Sequence, residues 1–361
     1  MRILMLGGST RHTGGLESFC KFSREAIARE YDCEIWQVPT DTSYLTLARV
    51  PGLLMRLLSL WKYRRKGIDC IWLQYVCLPD LLFVLAGKLL GFTVMVTPHL
   101  GSNWRSQSNP LLRALSATLL ALADRLALIS PTQELEIQLP RRVPRSYIRN
   151  FLPEAALNGD PPADDGQSAE LRLIHAARLS EGKGTFLYLE VCRQLRQAGV
   201  KFHATLAGHA NDEVSSRIHQ TIAEYDLSNH VQFLGHVPEN DLLRLLGKSD
   251  ILIHLSTIDS YPLVVLESIA CTAFPICIDL AGARDMVASY TGYIVHRKEA
   301  IGETVAFLKC RQISQIRALS RKAALQVRRD YAWTNCAAAA LLALRDTSLP
   351  PKTATARTTP I

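Results

Sequence analysis

Short apolar runs alternate with helical stretches along almost the whole chain, and the alternation is interrupted once. Apolar runs at Arg2–Leu6, Cys33–Val38, Asp69–Gln74, Thr93–Thr97, Arg125–Ile129 and Ser146–Ile148 read as strands. Helical patterns lie between them, at about Gly15–Arg29, Leu53–Arg65, Leu81–Leu90 and Leu111–Ala123. Strand–helix alternation of this kind builds parallel sheets from βαβ units. Continuous apolar strands such as Thr93–Val96 fit a sheet buried on both faces. The stretch Leu152–Ala169 breaks the rhythm with Pro153, Gly159, Asp160, Pro161, Pro162, Asp164, Asp165 and Gly166, the composition of a linker. The rhythm then restarts with strands at Leu171–Ala176, Phe202–Ala207, Val231–Leu234, Asp250–Leu255, Phe274–Ile278 and Tyr293–Val295. The helices of this half are expected at Gly184–Gln197, Asp212–Glu224, Asn240–Leu246, Leu263–Ala270 and Ala300–Lys309.

The expected fold is therefore α/β, with two Rossmann-like doubly wound domains facing across a cleft: residues 1–150, a linker at 151–169, and residues 170–330. Two further helical stretches, Ser314–Arg328 and Thr334–Arg345, follow, and the last is expected to pack back on the first domain. Residues 346–361 read as a disordered tail. With 361 residues, 48% of them hydrophobic, the chain has ample apolar surface for two cores.

Charge is distributed unevenly. Residues 1–150 hold 19 Lys and Arg against 11 Asp and Glu, whereas residues 151–361 hold 22 of each, so the whole excess of +8 lies in the first half. Such a surface attracts nucleic acid, anionic lipid or an anionic substrate. No zinc spacing, helix-turn-helix or aromatic–basic interleaving supports nucleic acid. Nine scattered cysteines without a C-x-x-C pair imply buried thiols in a reducing compartment. The opening apolar run is too short for a secretory leader. No apolar stretch is long enough to span a bilayer, because Arg56 breaks Leu53–Trp61, and Asp80 and Lys88 break Leu78–Leu90.

The residue types suited to chemistry fall at strand ends, where open α/β sheets bind ligands. The first strand runs into Gly7-Gly8-Ser9-Thr10, with Gly14-Gly15 opening a helix. Glycines there allow backbone N–H groups to approach a phosphate, or simply make a tight turn. His99 follows the strand Thr93–Thr97. The segment Ala177-Arg178-Leu179-Ser180-Glu181-Gly182-Lys183-Gly184 places a guanidinium and an ammonium in a glycine-rich loop before a helix. That pairing suits a diphosphate leaving group, whose charge grows as its bond breaks. In Asp259-Ser260-Tyr261-Pro262-Leu263-Val264-Val265-Leu266-Glu267, two carboxylates lie eight positions apart, the first in a loop and the second on a helix. Such a pair can hold sugar and ribose hydroxyls, or act as the acid and base of a hydrolase. A hydrolase has no need of the cationic loop. No two Asp are separated by a single residue, and no other ligand spacing suits a metal, so none is expected.

Taken together, these segments resemble the retaining glycosyltransferases of the GT-B fold, family 4, also called glycosyl transferases group 1. The resemblance spans about residues 1–345 and is strongest in 171–296. Arg178 and Lys183 match the family's diphosphate-binding Arg and Lys, and Asp259 and Glu267 match its E-x7-E element. Gly15 matches the N-terminal glycine loop and His99 the first-domain histidine. Tyr331-Ala332-Trp333 resembles the aromatic start of the helix that crosses back to the first domain. Three departures stand out: Asp259 in place of Glu, Thr272 in place of a usual Gly, and a loop Leu280-Ala281-Gly282-Ala283-Arg284-Asp285 where the family often has Gly-Gly and Glu.

The resemblance implies a glycosyltransferase (EC 2.4) that retains the anomeric configuration and needs no metal or other cofactor. The nucleotide-sugar, a UDP-sugar by default with GDP and ADP open, is a co-substrate bound by the second domain. The acceptor, a glycan or lipid-linked saccharide in polysaccharide or glycolipid assembly, lies on the first. Arg178 and Lys183 would face the diphosphate, Gly15 would lie beside it, and Glu267 would hold the ribose. Asp259 and the amide of Leu263 would hold the donor sugar, with His99 at its reacting face. The alternatives are a non-catalytic subunit that binds a sugar nucleotide or glycan, and a sugar-nucleotide epimerase or phosphorylase on the same frame.

Residues 53–66 add a further expectation. Leu53, Leu54, Leu57, Leu58 and Trp61 lie at helical spacing, and Arg56 and the run Lys62–Lys66 supply cations. This is the pattern of a core helix with a solvated basic end, or of a helix resting on an anionic bilayer. A cytoplasmic location is expected, with peripheral association at the inner face of the cytoplasmic membrane under the second of these.

Overall fold

The computed structural model describes residues 1–10, 14–102, 104–159 and 170–348. Twelve strands form two all-parallel six-stranded sheets. The first holds β1 (Arg2–Leu6), β2 (Glu34–Val38), β3 (Cys70–Tyr75), β4 (Thr93–Pro98), β5 (Arg125–Leu128) and β6 (Arg145–Tyr147), in the order β2-β1-β3-β4-β5-β6. The second holds β7 (Leu171–Ala176), β8 (Phe202–Ala207), β9 (Val231–Gly235), β10 (Ile251–His254), β11 (Phe274–Ile278) and β12 (Tyr293–Val295), in the order β12-β11-β10-β7-β8-β9. In each sheet the winding direction reverses beside the first strand, between β1 and β3 and between β7 and β10. Ligands bind at such switch points, beyond the carboxyl ends of the strands.

Helices cover both faces of each sheet, which is why β3 and β11 are buried along their whole length. Trp72 of β3 is fully buried, and its Nε1–H donates to Thr97 Oγ1 on β4 at 2.8 Å, so its one polar group is satisfied inside the core.

The helix Trp333–Ser348 lies against the first sheet. It packs along the helix Gly15–Glu30 and against β4 and β5. Trp333 Nε1–H donates to the carbonyl of Leu152 at 2.9 Å, and the Arg29 guanidinium lies over the Trp333 ring at 4.6 Å. One apolar cluster runs continuously from Phe19, Trp72 and Phe151 through Trp333 and Cys336 to Leu266 and Ile269, joining the two halves.

Four expectations change. The linker stretch contains a helical turn, Glu154–Asn158, whose Glu154 pairs with Arg29; residues 160–169 lie outside the described residues. The expected tail is helical to Ser348, and 349–361 lie outside the described residues. The segment Leu280–Asp285 is no loop, because Ala281–Ser289 is a helix that buries Gly282, Ala283 and Met286. Gly282 abuts the Ser260 carbonyl so closely that an added Cβ would lie 2.0 Å from that oxygen, so the helix is set by contact with the loop opposite rather than by a long apolar stripe. The apolar stripe at 53–66 is divided: Leu53 and Leu60 are buried against the sheet, while Leu54, Met55, Leu58 and Trp61 face outward.

All nine cysteines are unpaired. Six are buried, Cys33 and Cys77 are partly buried, and Cys310 is exposed.

Candidate active site

The first-half rim is made by loops after β1, β3 and β4. Gly7 turns the chain out of β1 with φ +152°, and a Cβ there would lie 2.5 Å from the Cβ of Gln74 at the end of β3, so only glycine fits this switch point. Residues 11–13 lie outside the described residues, and the chain re-enters at Gly14 to begin the helix Gly15–Glu30. His99 leaves β4, and its Nε2–H donates to Gln74 Oε1 at 2.9 Å. Burial pushes the His99 ring down to about 3, so it is neutral near pH 7. Its ring meets the edge of Phe19, with centroids 4.7 Å apart.

The second-half rim is more polar. The loop 177–184 ends at Gly184, whose φ of +81° and close approach to the Leu255 carbonyl (2.4 Å from an added Cβ) exclude any larger residue. The Thr257 amide donates to the Gly182 carbonyl at 2.9 Å, which locks this loop to the one after β10. The Lys183 ammonium then donates to Asp259 Oδ1. On the other side, His254 Nε2 lies 2.9 Å from Asp259 Oδ2; a carboxylate only accepts, so this nitrogen carries a proton. Burial alone would push the Asp259 carboxyl up, but the hydrogen bond and charge of His254, together with Lys183, outweigh it and hold the group well below the usual carboxylate range. Arg178 is exposed near the start of the same loop, two residues beyond β7.

Glu267 is different. It lies one turn beyond Leu263 on the helix Leu263–Ala270, and its carboxylate has no hydrogen bond or ion pair among the described residues. Burial, helped by the nearby Glu239 carboxylate, pushes it up to about 7. Neither this helix, preceded by Pro262, nor the helix preceded by Gly14 has a side chain at its N-cap able to accept from the first-turn amides.

These two helix ends meet. A Cβ on Gly15 would sit 3.6 Å from Leu263 Cδ1, and one on Gly101, just after His99, would lie 2.6 Å from Ser260 Cβ. Further bonds cross between the halves, from Ser130 Oγ to Asp285 Oδ2 at 2.9 Å and from Arg149 Nη1 to Tyr290 OH at 3.2 Å. The structure thus brings Lys183 and Asp259 into contact and Gly15 against Leu263. His99 bonds to Gln74 instead, and Glu267 makes no hydrogen bond to the other candidates among the described residues. His254 escaped the sequence reading because it reads as filler in an apolar strand. Its signal was a titratable residue in the run Ile251–Leu255, five positions before Asp259. Its Nδ1 is buried with no hydrogen-bond partner among the described residues. No cluster of three His, Cys, Asp or Glu side chains suited to a metal ion occurs among the described residues.

Residues 165–323 match the family described as glycosyl transferases group 1. The amylovoran biosynthesis glycosyltransferase AmsK of Erwinia amylovora is 30% identical over 112 residues, 29% of this chain and 27% of the relative. The putative colanic acid biosynthesis glycosyltransferase WcaL of Escherichia coli K12 is 25% identical over 171 residues, 45% of this chain and 41% of the relative. The matches therefore span well under half of these relatives. Among solved structures, Anabaena Alr3699/HepE in complex with UDP and glucose superposes with a TM-score of 0.74 at 16% identity, covering 96% of this chain and 100% of that one. Sucrose-phosphate synthase (tll1590) from Thermosynechococcus elongatus superposes at 0.71 and 16%, covering 96% and 99%. The whole chain carries the GT-B fold, and residues 165–323 of it match the glycosyl transferases group 1 family.

Proposed function

We propose that this chain is a retaining glycosyltransferase that moves a sugar from a nucleoside-diphosphate sugar, UDP-sugar by default, to a hydroxyl of a glycan or lipid-linked saccharide in polysaccharide or glycolipid assembly. The observation that supports this reading is the contact of Lys183 with Asp259 at the carboxyl end of the second sheet, together with the approach of Gly15 in the first half to Leu263 in the second. The solved Alr3699/HepE, which binds UDP and glucose, supports UDP as the first nucleotide to test.

In this reading the diphosphate lies against Arg178 and Lys183, beside the uncapped helix ends at Gly15 and Leu263. Both the cations and the first-turn amides stabilise the charge that develops on the leaving group. Lys183 is held in place by Asp259, which His254 holds in turn, so the ammonium is positioned before the donor arrives and little reorganisation remains. Glu267, unengaged in the free protein, accepts from the ribose hydroxyls as its carboxylate. Neutral His99 faces the donor sugar and offers a hydrogen bond without a competing charge. The departing phosphate oxygen takes the proton of the attacking hydroxyl on the same face.

Thermal unfolding measured with added UDP, GDP and ADP tests the reading. A nucleotide that binds the folded state raises the midpoint by mass action. The expected result is stabilisation of the parent by one nucleotide and loss of the effect in Lys183→Ala and Glu267→Ala. If no nucleotide shifts the parent, the reading of a donor site falls, and a glycan-binding, non-catalytic role takes its place.

A further inference from the structure

Three helices on the first domain, Val50–Arg65, Leu81–Leu89 and Pro110–Leu120, pack side by side over one face of the first sheet. Each turns apolar side chains inward: Leu53 and Leu60, Phe83 and Val84, and Leu120 are buried. A helix in this position ordinarily presents a polar outer face. These three do not. Leu54, Met55, Leu58 and Trp61 lie exposed on the first helix, Leu58 at 75%. Leu89 on the second is 79% exposed, and Leu111 on the third 82%. Of the twenty large hydrophobic side chains exposed among the described residues, sixteen belong to residues 1–150 and only four to the remainder. An apolar surface that continues across adjacent elements marks an interaction site rather than scattered exposure.

Charge identifies the occupant. None of the three helices contains an Asp or Glu. The first ends in Lys62, Arg65 and the following Lys66, all exposed and without an acidic partner among the described residues. Arg65 stacks on the Trp61 ring at 3.4 Å, so an aromatic anchor and a cation share one spot. By contrast, Arg64 and Lys88 are already engaged by Asp69 and Asp124. An apolar face with Trp at its edge and unpaired cations beside it is the pattern of a surface that seats in the headgroup region of an anionic leaflet. Because each helix follows the carboxyl end of a strand, the face begins at the rim that carries His99 and runs away from it.

We propose that this three-helix face is a membrane-docking surface that takes an anionic lipid leaflet. It does not depend on nucleotide binding. Combined with the transferase reading, it makes the acceptor one presented at a bilayer.

The test is co-sedimentation of the purified full chain with vesicles of phosphatidylcholine alone and of equal parts phosphatidylcholine and phosphatidylglycerol. The parent is expected to pellet with the anionic vesicles and to release as salt rises. Lys62→Glu/Arg65→Glu/Lys66→Glu should weaken partitioning on the order of a hundredfold, at about fivefold per cation lost. Leu58→Glu/Trp61→Glu should abolish it. Leu89→Glu/Leu111→Glu should weaken it at least about tenfold, separating a three-helix face from a single helix. These side chains are exposed, so each variant should keep the parent's unfolding midpoint. Lys183→Ala should bind vesicles like the parent, so loss of the donor site and loss of the surface read out separately. The proposal is overturned if the parent stays in the supernatant or if the charge reversals change nothing. It is also overturned if the parent is a dimer that ignores vesicles and that Leu58→Glu/Trp61→Glu splits into monomers, since the face then belongs to a second copy.

Discussion

The two halves of this molecule share one architecture and differ in what they expose. The first half carries the whole positive excess and, among the described residues, sixteen of the twenty exposed large hydrophobics; the second is neutral and exposes four of them. Conversely, the second half concentrates buried charge at its switch point, where Asp259 is clamped between Lys183 and His254 and Glu267 is left unengaged. The first half places at its own switch point a glycine turn and a neutral histidine. The difference follows the chemistry expected of each side. A diphosphate needs fixed cations in a partly desolvated site, whereas a lipid-borne or extended acceptor needs area. The same βαβ frame can supply either, because its loops and outer helix faces are free to vary while the strands are not.

The comparison predicts unequal costs for removing charge. Asp259→Ala strands the Lys183 ammonium and the buried His254, and should lose about 3–5 kcal/mol in denaturant unfolding. Asp69→Ala in the first half breaks an exposed pair with Arg64 and should cost at most about 1 kcal/mol. Equal losses would erase the contrast between the halves.

Within the first half, the inner and outer faces of one helix should separate as clearly. Leu60→Ala, at a fully buried position, should cost about 2–5 kcal/mol, while Leu58→Ala should stay within about 0.5 kcal/mol. A large cost at Leu58 would mean that the outer face is already covered by protein.

Glu267 gives a pH test with a definite sign. Its carboxyl is raised from the ordinary 4.5 to about 7, so between these values the folded chain holds a proton that the unfolded chain has released. The stability it contributes is complete below about pH 4.5 and is lost as pH rises through 7. Glu267→Gln should therefore unfold about 1–3 kcal/mol later than the parent at pH 8 and equally at pH 4, while losing nucleotide-induced stabilisation. In the parent, nucleotide affinity should rise from pH 6 to pH 8 as the carboxylate forms.

Much of this was legible in the sequence. Parallel strands buried on both faces are continuous apolar runs, and Arg2–Leu6, Leu171–Ala176, Phe202–Ala207, Phe274–Ile278 and Tyr293–Val295 begin and end where the runs do. The residues at the carboxyl ends of β7 and β10 could be picked out because Arg, Lys, Asp and Gly in those loops serve no core. What the sequence hid was contact between distant segments. Nothing local says that Ala281–Ser289 is helical when its fit depends on Gly282 meeting Ser260, or that Gly15 abuts Leu263. His254 passed as a strand residue until Asp259 folded back on it. The helix Val50–Arg65 spreads its leucines over more than one face, so its pattern could not say which of them meet the sheet.

The most direct test of a division between a donor half and a surface half is hydrogen–deuterium exchange on the full chain, with the stabilising nucleotide and separately with anionic vesicles. The account predicts that nucleotide slows exchange in 177–184 and 259–270, and that vesicles slow it in 50–65 and 81–89, with little crossover. Nucleotide protection centred on the first-half helices, or vesicle protection in the second half, would contradict it.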